Sequence, residues 1–248
     1  MKKLKILIFK KIKFYDFNRK DFNKIIKKKG LFLFPSGPGL STLESQPAYS
    51  KALINADYVF FDSGYFILLL KILKKIVVNK FSGFIFLQMF LNYLKNNKNT
   101  KILSIDPNIN SSKLNINLFK RIGLNKKNII NYIAPTYNSK NINDKKLLKV
   151  IKEKKPEYIL INIAGGKQEI LGLYIRNKYK YKCTILCTGA AIAYFTGNQA
   201  PINFFFDKFY LGWLVRIVFN PSIFLIRYIK TFKLFFIVFK NNVIIKHI

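Results

Sequence analysis

The chain has 248 residues, half of them apolar, which is enough to bury a sizeable core in one main domain with an appendage. The 44 Lys and Arg against 11 Asp and Glu give a net charge of +33, so we expect attraction to nucleic acid, diphosphates or an anionic membrane surface. The single histidine, His247, is the penultimate residue, which argues against a zinc enzyme and against a Ser-His hydrolase.

In chain order, short β-rich runs alternate with segments of helical character, the pattern of a mainly parallel sheet flanked by helices. Residues 1–11 carry lysines inside an apolar run and lack a small-residue cleavage site, so they predict a first strand and not a signal peptide. Ser41 and Glu44 have capping-box spacing, which predicts a helix start at Thr42. The predicted strands are 5–9, 31–34, 57–61, 101–105, 129–133, 158–163 and 183–187, and the predicted helices are 20–29, 42–55, 65–78, 84–95, 113–121, 143–153, 168–178 and 189–196.

Two further features bear on where in the cell the protein is expected. The apolar run at residues 81–94 has 14 residues, short of the roughly 20 that a spanning helix needs, so we predict no membrane crossing. Cys183 and Cys187 lie four residues apart on a predicted strand, which places them about 13 Å apart, beyond disulfide reach. We expect them to be core thiols in a reducing compartment.

Asp62 is the first candidate for chemistry, because it stands where the apolar run 57–61 ends and a glycine turn begins. Open α/β sheets bind their ligands at the carboxyl ends of the strands. Because the chain has only 11 acidic residues, a carboxylate at that place is less expected to be an incidental surface residue than it would be in an ordinary protein. The alternative is that Asp62 is a helix cap or a turn former.

A glycine loop at residues 35–41 leads into a predicted helix, where free backbone N–H groups favour phosphate. Its candidate ligand-binding residues are Ser36 and Gly37. The loop lacks the lysine of a P-loop and the glycine spacing of a dinucleotide fingerprint, so it indicates a ligand only weakly.

Two more loops follow predicted strands. After strand 158–163, glycines permit close backbone approach and the next side chains can bind a charged or hydrogen-bonding ligand. The candidates there are Gly165, Gly166, Lys167, Gln168 and Glu169, although Glu169 also suits an ordinary helix N-terminus. Thr188 and Gly189 form a small-residue turn after strand 183–187. Four such loops at one sheet edge predict a nucleotide-type cleft.

From about Ile202 the chain becomes aromatic and apolar, with interspersed Lys and Arg. We therefore divide it into an α/β domain, residues 1–201, and a basic, aromatic appendage, residues 202–248. Aromatic rings with Lys and Arg suit a lipid headgroup boundary. The alternative is a pair of ordinary C-terminal helices packed on the core.

An ordered set of short motifs along roughly residues 30–230 resembles the WecG/TagA/CpsF glycosyltransferases. Each motif is weak alone, but their order and spacing are specific. The motifs are Asn55-Ala56-Asp57, Asp62-Ser63-Gly64, Lys155-Pro156, Gly166-Lys167-Gln168-Glu169, Thr188-Gly189-Ala190, Gln199-Ala200-Pro201, Leu211-Gly212-Trp213-Leu214-Val215-Arg216, Asn220-Pro221 and Arg227-Tyr228.

The resemblance implies an inverting transferase with a Rossmann-like fold at the cytoplasmic face of a bacterial cell membrane. It implies transfer of an N-acetylmannosamine-type sugar, or its uronic acid, from a UDP donor to a polyprenyl-diphosphate-linked acceptor in cell-envelope polysaccharide synthesis. Asp62 matches the proposed catalytic base, Gln168 and Glu169 the donor pocket, and Arg216 and Arg227 the arginines at the diphosphate. Gln199 stands where the family has an arginine, so we assign it to the acceptor or diphosphate. Oligomerisation is left open.

The chain departs from the family pattern at Ser63, where a glycine is usual, and at Gly166, where a proline is usual. No Asp-x-Asp metal motif is obvious, so we expect catalysis without a metal or another cofactor. Two other functions stay open: a basic nucleic-acid-binding protein, although no nucleic-acid module is recognisable, and an inactive relative that still binds nucleotide sugar.

Overall fold

The computed structural model describes residues 4–138, 142–179, 183–189, 191–197, 218 and 221–247. Within these residues nine strands form one sheet, with helices between them. The strands are β1 (Lys5–Phe9), β2 (Ile12–Tyr15), β3 (Gly30–Leu33), β4 (Tyr58–Phe60), β5 (Ile102–Asp106), β6 (Ile129–Ile133), β7 (Tyr158–Ile161), β8 (Thr184–Cys187) and β9 (Val243–His247). Their order in the sheet is β6-β5-β7-β8-β3-β4-β2-β1-β9.

The sheet is mainly parallel, since only the pairings of β1 with β2 and with β9 are antiparallel. This confirms the predicted α/β, Rossmann-like class. The helices described are α1 (Phe22–Ile25), α2 (Gly37–Leu40), α3 (Pro47–Ile54), α4 (Gly64–Lys74), α5 (Gly83–Asn96), α6 (Ile109–Arg121), α7 (Lys145–Lys154), α8 (Lys167–Lys178), α9 (Ala191–Phe195), α10 (Pro221–Thr231) and α11 (Lys233–Lys240).

Both faces of the central strands are buried, because their side chains alternate between two apolar clusters. Along β3, Leu31 and Leu33 belong to one cluster and Phe32 to the other. Leu160 of β7 also joins the cluster of Phe32, while Ile159 lies on the opposite face. Helices cover both faces, as a parallel sheet requires. The parallel strands therefore present all their carboxyl ends at one edge, where the candidate loops lie.

Seven of the nine described strands were predicted, and two were missed. The first missed strand is β2. The β1–β2 hairpin turns at Lys10 and Lys11, which have φ angles of 46° and 66°, a conformation in which Asn or Gly is expected. The usual turn signal is thus absent from the sequence. The second missed strand, β9, falls in the segment assigned to the appendage and pairs with β1.

The predicted helix start at Thr42 is wrong, because the hydroxyl groups nearby close turns instead. Ser41 and Thr42 donate hydrogen bonds to the carbonyl oxygens of Pro38 and Gly39, both at 2.8 Å. Helix α3 begins only at Pro47, whose fixed φ and missing N–H suit a first helical position. Glu44 pairs with Lys10 at 3.1 Å and caps no helix.

The described C-terminal part shares the core of the main sheet. Leu234, Ile237 and Val238 of α11 are buried in the same cluster as β1 and β3, and β9 extends the sheet. The boundary at residue 201 stays a prediction. Both cysteines are free and buried, as predicted, and burial raises the pKa of Cys183 to about 11.

Helix α7 is capped by the next residue, Lys155, whose φ of 48° is a left-handed conformation that glycine adopts without strain. We expect Lys155→Gly to raise the free energy of unfolding by about 0.5–1 kcal/mol, since the strain relieved exceeds the extra unfolded-state entropy. Thermal unfolding measures this change. Lys154→Gly, one residue earlier inside the helix, is the matched control and should lower the unfolding temperature. Equal effects of the two variants would contradict the argument.

Candidate active site

Asp62 lies two residues beyond the end of β4, at the carboxyl edge of the sheet. Its Oδ1 accepts a hydrogen bond of 2.8 Å from the backbone N–H of Gly83, the first residue of α5. The positive end of that helix dipole favours the ionised carboxylate. Ser63, and not Asp62, caps the helix that follows, because its Oγ accepts from the N–H of Phe66. Asp62 is thus a half-buried carboxylate held in a fixed orientation at the sheet edge.

The loop that carries Ser36 and Gly37 lies beside Ser63, the residue after Asp62. A Cβ atom at Gly37 would lie 3.0 Å from Oγ of Ser63 and 3.3 Å from Cγ2 of Thr231. Glycine at this position therefore allows a close approach between the loop after β3, the loop after β4 and the corner between α10 and α11. Ser36 caps the four-residue helix α2 through the N–H of Gly39.

Gln168 and Glu169 are buried in the first turn of α8 and brace two loops. Glu169 Oε2 accepts from the N–H of Gly166 at 2.7 Å, and its Oε1 accepts from Nε2 of Gln168 at 3.0 Å. Gln168 Oε1 in turn accepts from the N–H of Gly189 at 3.2 Å. The two side chains therefore join the loop after β7 to the loop after β8.

A close approach between two backbone segments links the hydrogen-bonded pair of Gln168 and Glu169 to Asp62. A Cβ atom at Gly83 would lie 2.7 Å from the carbonyl oxygen of Thr188, so only glycine fits there. The chain of contacts runs from Asp62 through Gly83 and Thr188 to Gly189, and from there through Gln168 to the loop after β7. The structure thus gathers most predicted site residues at one sheet edge. They are Ser36, Gly37, Asp62, Gly165, Gly166, Lys167, Gln168, Glu169, Thr188 and Gly189.

Three predicted residues are not placed with the others. Gln199 and Arg216 lie outside the described residues. The backbone of Arg227 lies in α10, the helix that ends at Thr231 beside Gly37. The assignment of these three residues to the acceptor or diphosphate stays a prediction.

Asp57, which belongs to the first resemblance motif, clamps the opposite edge of the sheet. Its carboxylate binds Arg176 through two hydrogen bonds of 2.6 and 2.7 Å and accepts a third from the N–H of Leu31. Burial alone would raise the pKa of Asp57, but these bonds outweigh it and the net pKa is lowered. Asp57 therefore fixes α8 against the amino ends of β3 and β4, far along the strand direction from Asp62.

Sequence reasoning missed a buried carboxylate at Asp106, the last residue of β5. Its Oδ1 accepts hydrogen bonds from Ser104, Asn115 and Asn162. The signal was the same as for Asp62, since an acid directly follows the predicted strand 101–105. The partners could not be read from the sequence, because Asn162 lies 56 residues away.

A second missed cluster surrounds Asp144, the N-cap of α7. The carboxylate accepts hydrogen bonds from the hydroxyl groups of Tyr132 and Tyr137 at 2.7–2.9 Å and from the N–H of Leu147. Burial, followed by the hydrogen bond to Asp144 and then by the Asp144 charge, raises the pKa of both phenols well above the ordinary value. The cluster ties the segment after β6 to the start of α7.

These raised pKa values make the protein sensitive to alkali. The protonated phenols of Tyr132 and Tyr137 contribute stability that is fully present below the unfolded-state pKa of about 10 and is lost as pH rises above it. We expect the unfolding temperature to fall above about pH 10, and less steeply in Tyr137→Phe. Tyr174→Phe is the control, because the Tyr174 hydroxyl accepts from the Asp144 N–H. A Tyr137→Phe profile parallel to that of the unchanged protein would contradict this account.

Among the described residues, no group of three or more His, Cys, Asp or Glu side chains is placed to hold a metal ion. Metal-independent catalysis stays a prediction.

A search of curated proteins gives no match to this chain. The family model described as the glycosyl transferase WecG/TagA/CpsF family matches residues 9–247, nearly the whole chain and every predicted site residue. The match implies a glycosyltransferase of cell-surface polysaccharide synthesis, with a nucleotide-sugar donor and a lipid-linked acceptor in general terms. The chain belongs to the WecG/TagA/CpsF family of glycosyl transferases.

Proposed function

We propose that this transferase moves an N-acetylhexosamine-type sugar, N-acetylmannosamine or its uronic acid, from UDP to a polyprenyl-diphosphate-linked sugar, with inversion. The observation that carries the proposal is the carboxylate of Asp62, held by the N–H of Gly83 at the edge where four loops meet. No cofactor is required in this scheme.

Asp62 acts as the general base. It takes the proton from the acceptor hydroxyl while that oxygen attacks the anomeric carbon, and the bond from that carbon to the UDP oxygen breaks with its electron pair leaving on UDP. Proton transfer of this kind contributes about 10²–10⁴-fold to the rate. The charge on departing UDP is stabilised by Arg216 and Arg227, the two arginines that the family resemblance assigns to the diphosphate.

The membrane-facing surface is an aromatic face formed by α11 and its N-cap residue. It consists of Phe232, Phe236 and Phe239, each at least half exposed and spaced to share one side of the helix. Lys230 and Lys233 line a groove of about 540 Å³ beside Phe232 and Phe236. The same corner reaches Gly37 through Thr231, which sets the aromatic face next to the site of Asp62. In the part of the chain that the structure describes, no helix has the length and apolarity to span a bilayer.

We expect the double variant Phe236→Ser, Phe239→Ser to bind anionic liposomes about tenfold more weakly, because two exposed rings no longer enter the headgroup region. Co-sedimentation measures this binding. Ile109→Ser removes an equally exposed apolar side chain from α6 and is the control. Unchanged sedimentation of the double variant would contradict the assignment.

Deleting residues 203–248 would be less informative, because it would also remove β9 and the buried residues of α11.

The experiment that tests the reaction is incubation with a panel of UDP-sugars and lipid-diphosphate acceptors, with the product identified by mass. We expect one sugar added to the acceptor and UDP released. A parallel titration with single-stranded RNA at two salt concentrations tests the nucleic-acid function that the charge of +33 allows. Tight RNA binding without any sugar transfer would overturn the proposal, and donor binding without turnover would identify an inactive relative.

A further inference from the structure

The buried cluster around Asp106 lies at a switch point of the sheet. The chain goes from β5 to the neighbour β6 on one side and then crosses to β7 on the other side of β5. Asp106 ends β5, and Asn162 directly follows β7. Crevices between strands that diverge in this way are where open α/β sheets place their functional groups. Asn162 also begins the segment that leads to Gly166 and the predicted donor loop.

One oxygen of Asp106 is saturated with hydrogen bonds. Oδ1 accepts from Ser104 Oγ at 2.8 Å, from Asn115 Nδ2 at 2.7 Å and from Asn162 Nδ2 at 2.9 Å. Asn162 Nδ2 also lies 3.0 Å from Ser104 Oγ. Rotating the Asn162 amide by half a turn would set two acceptor oxygens against each other, so the amide orientation is fixed. The carboxylate itself is fully buried.

Three buried polar side-chain atoms on elements that meet at this cluster have no hydrogen-bond partner within the part of the chain that the structure describes. They are Asp106 Oδ2, Asn162 Oδ1 and Ser112 Oγ, and all three are shielded from solvent. Ser112 stands one turn before Asn115 on the same side of α6, so both side chains face β5. Buried polar atoms in native proteins are almost always satisfied, which requires a ligand for these three.

The chemistry of the three atoms specifies that ligand. The Oδ2 atom of an ionised Asp106 can only accept hydrogen bonds, as can Asn162 Oδ1, whereas the Ser112 hydroxyl can donate one. Two acceptors and one donor are the complement of a water molecule, and buried waters make about three hydrogen bonds. A small cation would suit the three oxygens but would leave the hydroxyl proton without an acceptor.

We propose that the Asp106 cluster binds one water, which donates to Asp106 Oδ2 and Asn162 Oδ1 and accepts from Ser112, and that the filled cluster positions residues 162–166 for donor binding. The second half rests on the proposed function. Asp106 is then a positioning residue that acts on the donor through Asn162 and the loop after β7. The water joins α6 to two strands, so its loss loosens the loop without touching Asp62.

A crystal structure of the full chain tests the first half. We expect a single density peak within about 2.5–3.2 Å of all three atoms. Growth of the crystals in rubidium chloride distinguishes water from a monovalent cation, because bound rubidium gives an anomalous signal. An anomalous peak at the cluster, or no peak shared by the three atoms, would overturn the water site.

Point variants test the second half with UDP as the probe. We expect Asp106→Asn to bind UDP about tenfold more weakly by calorimetry, and Ser112→Ala to bind it several-fold more weakly and to lose the water peak. KM for the donor should rise while kcat stays unchanged. Ser111→Ala, the neighbouring hydroxyl on α6, is the control and should match the unchanged protein. Unaltered UDP affinity in folded Ser112→Ala and Asp106→Asn would overturn the positioning role.

The two proposals fail separately. If the unchanged protein does not bind UDP at all, the proposed donor is wrong and the density peak still decides the water site. Should Asp106→Asn not fold, Ser112→Ala carries the test, because it removes one hydroxyl and no charge.

Discussion

Replacing Asp62 with Asn is expected to lower the rate of sugar transfer by about 10²–10⁴-fold while UDP-sugar binding stays nearly unchanged. The amide keeps the volume of the side chain and its oxygen can still accept from the N–H of Gly83, but it cannot take a proton from the acceptor hydroxyl. Steady-state rates at saturating donor and acceptor measure the loss, and donor titration measures the binding.

Ser63→Ala is the matched control for Asp62→Asn. It removes the neighbouring hydroxyl and the cap of α4, so it should cost about 1 kcal/mol of stability and leave kcat largely intact. Full activity in Asp62→Asn would show that another group accepts the proton. A loss of donor binding equal to the loss of rate would show instead that Asp62 contributes to the donor pocket.

The second large effect is expected on stability, from Asp144→Ala. The change leaves the hydroxyl groups of Tyr132 and Tyr137 and the N–H of Leu147 without their common acceptor. Leaving two buried donors and one partly buried donor without an acceptor costs about 3 kcal/mol, which lowers the unfolding temperature by about 6–12 °C in a chain of this size. Differential scanning calorimetry measures the shift.

Asn143→Ala is the control for Asp144→Ala, since it changes the adjacent, exposed side chain and should stay within about 0.5 kcal/mol of the unchanged protein. A shift of similar size in both variants would mean that the whole segment before α7, and not the buried carboxylate, sets the stability.

The fold was largely predictable because each central strand is a short β-rich run with helical sequence on both sides. The exceptions have local causes. Lys10 and Lys11 occupy left-handed positions in which the sequence signal for a hairpin is absent. The spacing of Ser41 and Glu44 satisfied a capping pattern, but Pro47 offered a better start and the hydroxyl of Ser41 turned to a carbonyl oxygen.

The candidate site was predictable only as far as strand ends define it. Parallel strands bring the loops at Ser36, Asp62, Gly166 and Thr188 to one edge, so their convergence follows from the topology. The contact of Asp62 with Gly83 depends on how α5 returns to the sheet, which no local pattern records. The same limit applies to Asp106, because its partner Asn162 lies 56 residues away in the sequence.

Strand β9 has a consequence for how the protein behaves in solution. It is the last strand at one edge of the described sheet, and its Ile244 and Ile245 are exposed. The molecule therefore presents an open, partly apolar strand edge that is able to pair with the edge of a second molecule. The net charge of +33 opposes that encounter through mutual repulsion. Salt shortens the reach of this repulsion to about 10 Å at 0.1 M and about 3 Å at 1 M. High salt, which weakens the attraction of a basic protein to anionic surfaces, therefore also favours precipitation of this protein.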